Sequence, residues 1–112
     1  MARSLLPDPL ARRHLLEEAL DPARALVVAE AYLIQERAAE AIAFLAKAGA
    51  RERLAALREQ AIEAGDLFLM RSASLALGEE PSLEQWSRLA DAAEAAGKER
   101  YAHEARRLAQ RS

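Results

Sequence analysis

The sequence has no cysteine, only four glycines and four prolines, and few aromatic residues, which make up 4% of it. The absence of cysteine excludes disulfide bonds and thiolate metal sites. No segment approaches the run of about 20 apolar residues that a membrane span needs. The N-terminal MARSLLPDPL lacks the apolar run and cleavage site of a secretory signal, and the rings are too few for a base-stacking platform. We therefore expect a cytoplasmic protein without membrane insertion or nucleic-acid binding.

Alanine is abundant and occupies about a quarter of the 112 positions. It costs the least free energy of any residue in a helix, and its small side chain lets helices approach closely. Charged residues amount to 30% with a net charge of −2, which is typical of neither a nucleic-acid-binding surface nor a disordered tail. Length and composition together predict a single all-α domain over residues 1–112.

Proline and glycine mark where the helices begin and end. Asp8 and Asp21 each precede a proline, as an N-cap precedes the first helical residue, and Ser82 with Gln85 forms a capping-box pattern. Glycines that follow apolar-periodic stretches indicate helix C-termini; they are Gly49, Gly65, Gly78 and Gly97. No window shows strand-like alternation. These signals predict seven helices, at about residues 9–20, 22–35, 37–48, 51–64, 66–77, 83–96 and 98–110.

The second, fourth and sixth helices share one spacing of apolar residues, which indicates an internal repeat. Superimposing Gly65 on Gly97 aligns four further pairs, which are Leu54 with Trp86, Leu57 with Leu89, Ala61 with Ala93 and Asp66 with Lys98. Glu36 takes the place of the glycine in the first copy. The sequence therefore predicts an extra N-terminal helix followed by three helix-pair units, at about residues 9–20, 22–48, 51–77 and 83–110.

This pattern resembles the tetratricopeptide repeat, a helix pair with W-x2-L-G-x2-Y on its first helix and A-x3-F on its second. In the third unit the match is Trp86-x2-Leu89-Ala90-x2-Ala93, with Gly97 at the turn and Ala102 on the second helix. In the first unit, AYLIQ at 31–35 and EAIAFLAKA at 40–48 are similar to the family's AYYKQ and EAIEYYQKA. The middle unit departs from the pattern at Arg58 and Met70, and the third unit departs at Arg106.

The resemblance implies a right-handed α-solenoid of antiparallel helix pairs, in which the first helix of each pair lines a concave groove that binds protein. The Lys, Asn and Arg side chains with which the family clamps peptide carboxylates are missing here, which disfavours a partner ending in an acidic motif. The candidate groove residues are those that face away from the core on the first helices: Leu26, Val27, Glu30, Leu33, Ile34, Glu52, Glu59, Glu63, Glu84, Arg88, Asp91 and Glu94.

This candidate groove is apolar at one end and acidic at the other. A basic and apolar peptide or helix of another protein suits such a surface, so we predict an interaction module of the adaptor or chaperone type. An alternative for the carboxylates is an ordinary solvated helix face. An alternative for the whole protein is a structural subunit that self-associates through the fifth helix or the apolar end of the groove.

The apolar end of the groove needs cover, because exposed apolar patches usually mark interaction sites. The first helix is the expected lid, since a short connection holds it close and it carries four leucines, Leu10, Leu15, Leu16 and Leu20. Without this lid, the patch is left for a partner or a second copy.

Catalytic and metal-binding signals are weak. His14 lies beside Glu17 and Glu18, and His103 lies four residues after Glu99, but two ligands do not make a metal site. The sequence contains neither a glycine-rich phosphate loop nor a nucleophile elbow. We therefore predict a protein that is not an enzyme and has no metal or cofactor.

The last helix and the aromatic residues are assigned structural roles. The last helix is basic and is expected to cap the array with a polar face; its cations are Lys98, Arg100, His103, Arg106, Arg107 and Arg111. The rings are expected to anchor the core; they are Tyr32, Phe44, Phe68, Trp86 and Tyr101. Phe68 belongs to a run, LFLM, that places apolar residues on all sides of the fifth helix, so that helix is either fully buried or exposed at an interface.

Overall fold

The computed structural model describes residues 6–111, and all regular structure in this range is α-helical. The helices are α1 (Pro9–Glu17), α2 (Pro22–Ile34), α3 (Ala38–Lys47), α4 (Arg51–Ala64), α5 (Leu67–Leu77), α6 (Leu83–Ala95) and α7 (Glu99–Arg111). For the described chain, the all-α class and the number of helices predicted from the sequence are confirmed.

The predicted caps account for the N-termini of three helices. Asp8 Oδ1 accepts a hydrogen bond from Ala11 N at 2.8 Å at the start of α1, and the side chain of Asp21 caps α2 in a similar way. At α6, Ser82 Oγ accepts a hydrogen bond from Gln85 N at 3.1 Å, and Ser82 N donates to Gln85 Oε1 at 2.9 Å. These bonds satisfy backbone N–H groups that have no partner within the helix.

Helix α1 is shorter than predicted, because it ends at Glu17 and not near residue 20. Asp21 leaves the helical conformation to cap α2, and the following Pro22 disfavours a helical backbone at Asp21. The chain also needs several residues to reverse direction between neighbouring helices. The backbone is therefore already extended at Glu18, where φ is −74° and ψ is 155°.

The chain divides into two compact units, unit 1 (Met1–Arg53) and unit 2 (Leu54–Ser112). Unit 1 contains α1, α2 and α3. A stacked pair of buried rings lies in its core, Tyr32 and Phe44, with centroids 5.8 Å apart. The other buried side chains of its helices are small or aliphatic: Ala25, Ala29, Ala31, Ala41, Ile42 and Leu45. All of them belong to α2 and α3, so these two helices form the core of unit 1.

Unit 2 contains α5, α6, α7 and all but the first turn of α4. One cluster of buried side chains draws on all four helices and consists of Ala61, Ile62, Leu67, Met70, Trp86, Leu89, Ala90, Ala93, Ala102, Ala105 and Ala109. Trp86 is only 6% exposed and belongs to this cluster, so its predicted place in the core is confirmed. Because alanine predominates on α6 and α7, the large side chains of Trp86 and Met70 fill the space that small residues leave.

The C-termini of α2 and α4 have the same pattern of backbone hydrogen bonds, as the predicted repeat requires. After α4, Gly65 N donates to Ile62 O at 3.1 Å and Asp66 N donates to Ala61 O at 2.8 Å, which is the Schellman arrangement. The same pair of bonds closes α2 at Glu36, whose φ is 58°. Glu36 is the one non-glycine residue with positive φ in the described chain, and it is the residue predicted to stand in for the repeat glycine.

Gly65 also permits a close approach between helices. A Cβ atom at this position would lie 2.5 Å from Ala93 Cα and 2.6 Å from Ala93 N. The end of α4 thus lies against the backbone of α6 at a distance that no side chain allows. Gly97 occupies the matching turn after α6, and the space around it is open.

Candidate functional site

The apolar candidates lie on α2 in unit 1. Val27 and Ile34 are 61% and 80% exposed and lie two turns apart on one side of the helix. Leu26 beside them is also exposed, and Leu33 is half-buried. The expected lid is therefore wrong, since α1 leaves this surface, which we call the α2 face (Leu26, Val27 and Ile34), open.

Helix α1 packs instead beside the aromatic pair of unit 1. The guanidinium group of Arg12 lies 5.6 Å from the ring centroid of Tyr32 and 5.5 Å from that of Phe44. Arg12 Nη2 also donates a hydrogen bond to Glu40 O at 3.0 Å. The predicted position of α1 rested only on the burial of its leucines. It did not take account of Arg12, whose cation contacts two aromatic ring faces and a backbone carbonyl.

The charged candidates of unit 2 lie on α4 and α6 and form what we call the acidic face: Glu59, Glu63, Glu84, Arg88, Asp91 and Glu94. All are at least partly exposed. The structure pairs Arg88 with Glu59, which joins α6 to α4. Arg106 on α7 reaches the same surface, where its Nη2 lies 2.6 Å from Glu94 Oε2 and 3.4 Å from Asp91 Oδ1.

The charge on the acidic face is only partly neutralised. The hydrogen bond from Arg88 holds the pKa of Glu59 below its usual range, and the same bond, together with the negative charges of Glu59, Glu84 and Glu63, raises the pKa of Arg88. Glu63 and Glu84 form no ion pair with another described residue. Five carboxylates thus share the surface with two guanidinium groups, so the acidic face keeps a net negative charge. Sequence reasoning did not foresee these ion pairs.

Two candidates lie outside these surfaces. Glu30 on α2 is half-buried and forms an ion pair with Arg53 within unit 1. Glu52 is exposed in the first turn of α4, where a carboxylate favours the positive end of the helix dipole. Both residues have a structural role that accounts for their charge.

The aromatic residues divide into buried anchors and an exposed ring. Tyr32, Phe44 and Trp86 are buried as predicted, and Tyr101 is half-buried. The prediction that Phe68 anchors the core is wrong, because its side chain is 68% exposed. Its ring makes an edge-on contact with Tyr101 at a centroid distance of 5.7 Å. The core side of α5 is filled by its neighbours in the LFLM run, Leu67 and Met70, so Phe68 projects outward.

Unit 2 also contains an open cleft of about 790 Å³ that the sequence did not reveal. It is lined by Arg71, Ser72, Ser74, Leu75, Gly78, Glu79, Glu80, Pro81, Trp86, Leu108 and Arg111. Leu75 on its rim is 83% exposed and lies seven residues after Phe68, on the same side of α5. The seven-residue spacing of Phe68 and Leu75 was the available sequence signal for the exposed apolar side of α5.

Three of the six cations assigned to the last helix are engaged in contacts within unit 2. Lys98 Nζ donates to Ala64 O at 3.1 Å at the end of α4, and Arg107 Nε donates to Glu104 Oε2 at 3.0 Å. Arg106 binds the acidic face. The contacts of Lys98 and Arg106 favour the structural role predicted for the last helix, since they join it to α4 and α6, whereas the Arg107 pair lies within α7.

Among residues 6–111, no group of three or more His, Asp and Glu side chains is placed to hold a metal ion. His14 and His103 are both exposed. No helix in this range is long and apolar enough to cross a membrane.

Comparison with known proteins identifies no relative. No protein-family model matches the chain, no curated protein matches its sequence, and no solved structure matches its fold.

Proposed function

We propose that this protein is a non-enzymatic interaction module of the adaptor or chaperone type, which binds a segment of another protein that carries both apolar and basic side chains. The observation that carries the proposal is the open α2 face, where three large aliphatic side chains on one helix are left in contact with water. A contiguous apolar surface of this kind usually marks a binding site.

The charge of unit 2 indicates the chemistry of the partner. The acidic face keeps more carboxylates than guanidinium groups, and Glu63 and Glu84 form no direct ion pair with another described residue. A basic segment gains from complementary charge on approach, whereas an acidic segment is repelled. The acidic face of unit 2 thus favours a basic segment, and the α2 face of unit 1 favours an apolar one.

Correspondence between the helix pairs supports tetratricopeptide-like repeats. Three of the four pairs superimposed in the sequence are apolar and buried, namely Leu54 and Trp86, Leu57 and Leu89, and Ala61 and Ala93. The Schellman closures after α2, α4 and α6 share one pattern of backbone hydrogen bonds. Helix-pair repeats commonly present extended binding surfaces, so this architecture agrees with a binding function.

Binding to defined peptides tests the proposal. One probe is a short amphipathic helix of leucine and lysine, and its control is the same peptide with glutamate for lysine. We expect the leucine–lysine peptide to bind and the control to bind at least about tenfold more weakly, as measured by fluorescence anisotropy. Equal binding of both peptides, or binding of neither, would contradict the proposal.

Two pairs of substitutions separate the contributions of the surfaces. Val27→Thr with Ile34→Thr should weaken binding without changing its salt dependence. Glu63→Gln with Glu84→Gln should weaken binding and flatten the salt dependence. Glu80→Gln with Glu99→Gln removes the same charge elsewhere and should leave both unchanged. Glu63 and Glu84 are chosen because substituting Glu59 or Asp91 would also break an ion pair within the protein.

A self-associating structural subunit is the second candidate function. It is favoured by a separate observation, the exposed apolar side chains of Phe68 and Leu75 on α5. Self-association would not exclude partner binding, because the α2 face and the acidic face involve other residues.

A further inference from the structure

We propose that the open cleft of unit 2 binds a small organic acid, whose apolar body lies against leucine side chains and whose carboxylate accepts hydrogen bonds from a guanidinium group and an indole N–H. The volume of the cleft, about 790 Å³, is in the range of small-molecule sites. The cleft shares no residue with the α2 face or the acidic face, so the inference goes beyond the proposed function.

Three helices line the cleft, and burial separates its floor from its rim. Trp86 on α6 and Ser74 on α5 line the cleft although they are only 6% and 2% exposed, so they lie at its floor. Arg71 and Leu75, one turn apart on α5, are exposed and lie at its rim. Leu108 on α7 is half-buried and adds a second apolar side chain. Apolar and cationic side chains therefore surround one recess.

The floor of the cleft offers hydrogen-bond donors. Trp86 Nε1 makes no hydrogen bond with another described residue, yet it is not sealed from the solvent. Since Trp86 lines the cleft, its N–H is available to a ligand there. Ser74 Oγ donates only to Met70 Sδ, at 3.7 Å, and a thioether sulfur is a weak acceptor. An indole N–H can donate but not accept, so it favours a ligand that brings acceptor oxygens.

The charged groups of the lining favour an anion. Glu79 lines the cleft, but its Oε1 accepts a hydrogen bond from Arg58 Nη1 at 2.8 Å, which balances its charge. Glu80 and Arg111 contribute one charge of each sign. Arg71 is therefore the cation that remains, and it gives the cleft a net positive charge.

The guanidinium group of Arg71 keeps its donors for a ligand. Arg71 forms no direct ion pair with another described residue. Its charge acts on Glu104, but the pKa of Glu104 is held below its usual range first by the hydrogen bond from Arg107. A guanidinium group can bind a carboxylate through two parallel N–H groups. A cationic amine would meet Arg71 and the indole N–H, neither of which accepts a hydrogen bond.

Titration with phenylbutyrate tests the site. Trp86 is the one tryptophan of the chain, so ¹⁵N NMR spectra contain a single indole N–H resonance. We expect this resonance to shift as phenylbutyrate binds with a Kd below about 1 mM. Phenylbutylamine, which carries an ammonium group in place of the carboxylate, should bind at least about tenfold more weakly. Arg71→Gln should weaken the binding of phenylbutyrate at least about fivefold, because it removes a charge-assisted contact.

A matched variant and a peptide keep the outcome decisive. Arg100→Gln removes the same charge from α7 outside the cleft and should leave the affinity unchanged. Both substituted residues are exposed, so circular dichroism should show unchanged helix content. An indole resonance that stays in place up to about 10 mM phenylbutyrate, equal binding of the acid and the amine, or equal affinities of the two variants would overturn the proposal. Tighter binding of a glycine–glycine–phenylalanine tripeptide would also overturn it, since the cleft would then suit a protein C-terminus.

Discussion

The first helix, α1, and the last helix, α7, are attached to their units in different ways. In unit 2, α7 buries Ala102, Ala105 and Ala109 in the core. In unit 1, α1 buries no residue and is attached through Arg12 and through a hydrogen bond from Lys47 Nζ to Glu18 O at 2.9 Å. Apolar burial is lost when a helix detaches, whereas polar contacts are exchanged for contacts with water. We therefore expect α1 to open locally long before the core of unit 2.

The largest effect should come from the core of unit 2. Trp86→Ala removes the largest buried side chain and should lower the free energy of unfolding by about 3–5 kcal/mol, as measured by urea unfolding with circular dichroism. Leu75→Ala, at an exposed position of the same unit, should change it by less than about 0.5 kcal/mol. A tryptophan emission spectrum like that of a fully hydrated indole in the native protein would contradict this burial.

Gly65→Ala should cause the second-largest loss in the free energy of unfolding. The substitution places a Cβ against the backbone of Ala93 and forces a positive φ on alanine, which together should cost about 2–4 kcal/mol. Gly97→Ala is the matched control, because it has the same backbone conformation with open space around it. Its cost should be only about 1 kcal/mol, from the backbone alone. Equal costs for the two variants would show that the approach of α4 to α6 does not matter.

Arg12→Gln tests the attachment of α1. The variant loses the contacts with two rings and the hydrogen bond to Glu40 O, which together should contribute about 1–2 kcal/mol. Amide hydrogen exchange in α1 should accelerate about tenfold, while the amides of α6 and α7 keep their rates. Arg13→Gln is the control, since its exposed ion pair with Glu17 contributes little. Unchanged exchange in α1 would mean that its leucines hold the helix.

The smallest effect should have the opposite sign. Glu36 has positive φ in unit 1 where the matching turns of unit 2 have glycine. Glu36→Gly should therefore raise the free energy of unfolding by up to about 1 kcal/mol. Glu36→Ala, which keeps the unfavourable backbone conformation, should bring no such gain. A destabilised glycine variant in thermal unfolding would show that the Glu36 side chain supports the turn.

Local signals in the sequence were sufficient to predict the helices. Asp8 and Ser82 cap helices by bonds within three residues, and the left-handed turns need only glycine or a residue that tolerates its conformation. Even the substitution of Glu36 for glycine could be located, because the repeat spacing fixed its position. These features depend on neighbours in the chain, which the sequence displays directly.

The surfaces were less predictable because they depend on neighbours that are distant in the chain. The pairing of Arg88 with Glu59 joins residues on two helices, and the position of α1 depends on rings that Arg12 meets only after folding. Phe68 illustrates the same limit. The sequence of α5 is apolar on all sides and does not reveal which side faces the core. In the structure, Leu67 and Met70 lie on the core side. The sequence correctly indicated apolar side chains that face away from the core on α2. The prediction that α1 covers them was wrong.

The most direct test of the proposed binding function is a titration of the ¹⁵N-labelled protein with the leucine–lysine peptide, followed by NMR. We expect concentration-dependent shifts of the amides around Val27 and Ile34 on α2 and around Glu63 and Glu84 on α4 and α6, with α7 unaffected. Shifts confined to other helices, or no shifts at saturating peptide, would contradict the proposed binding function.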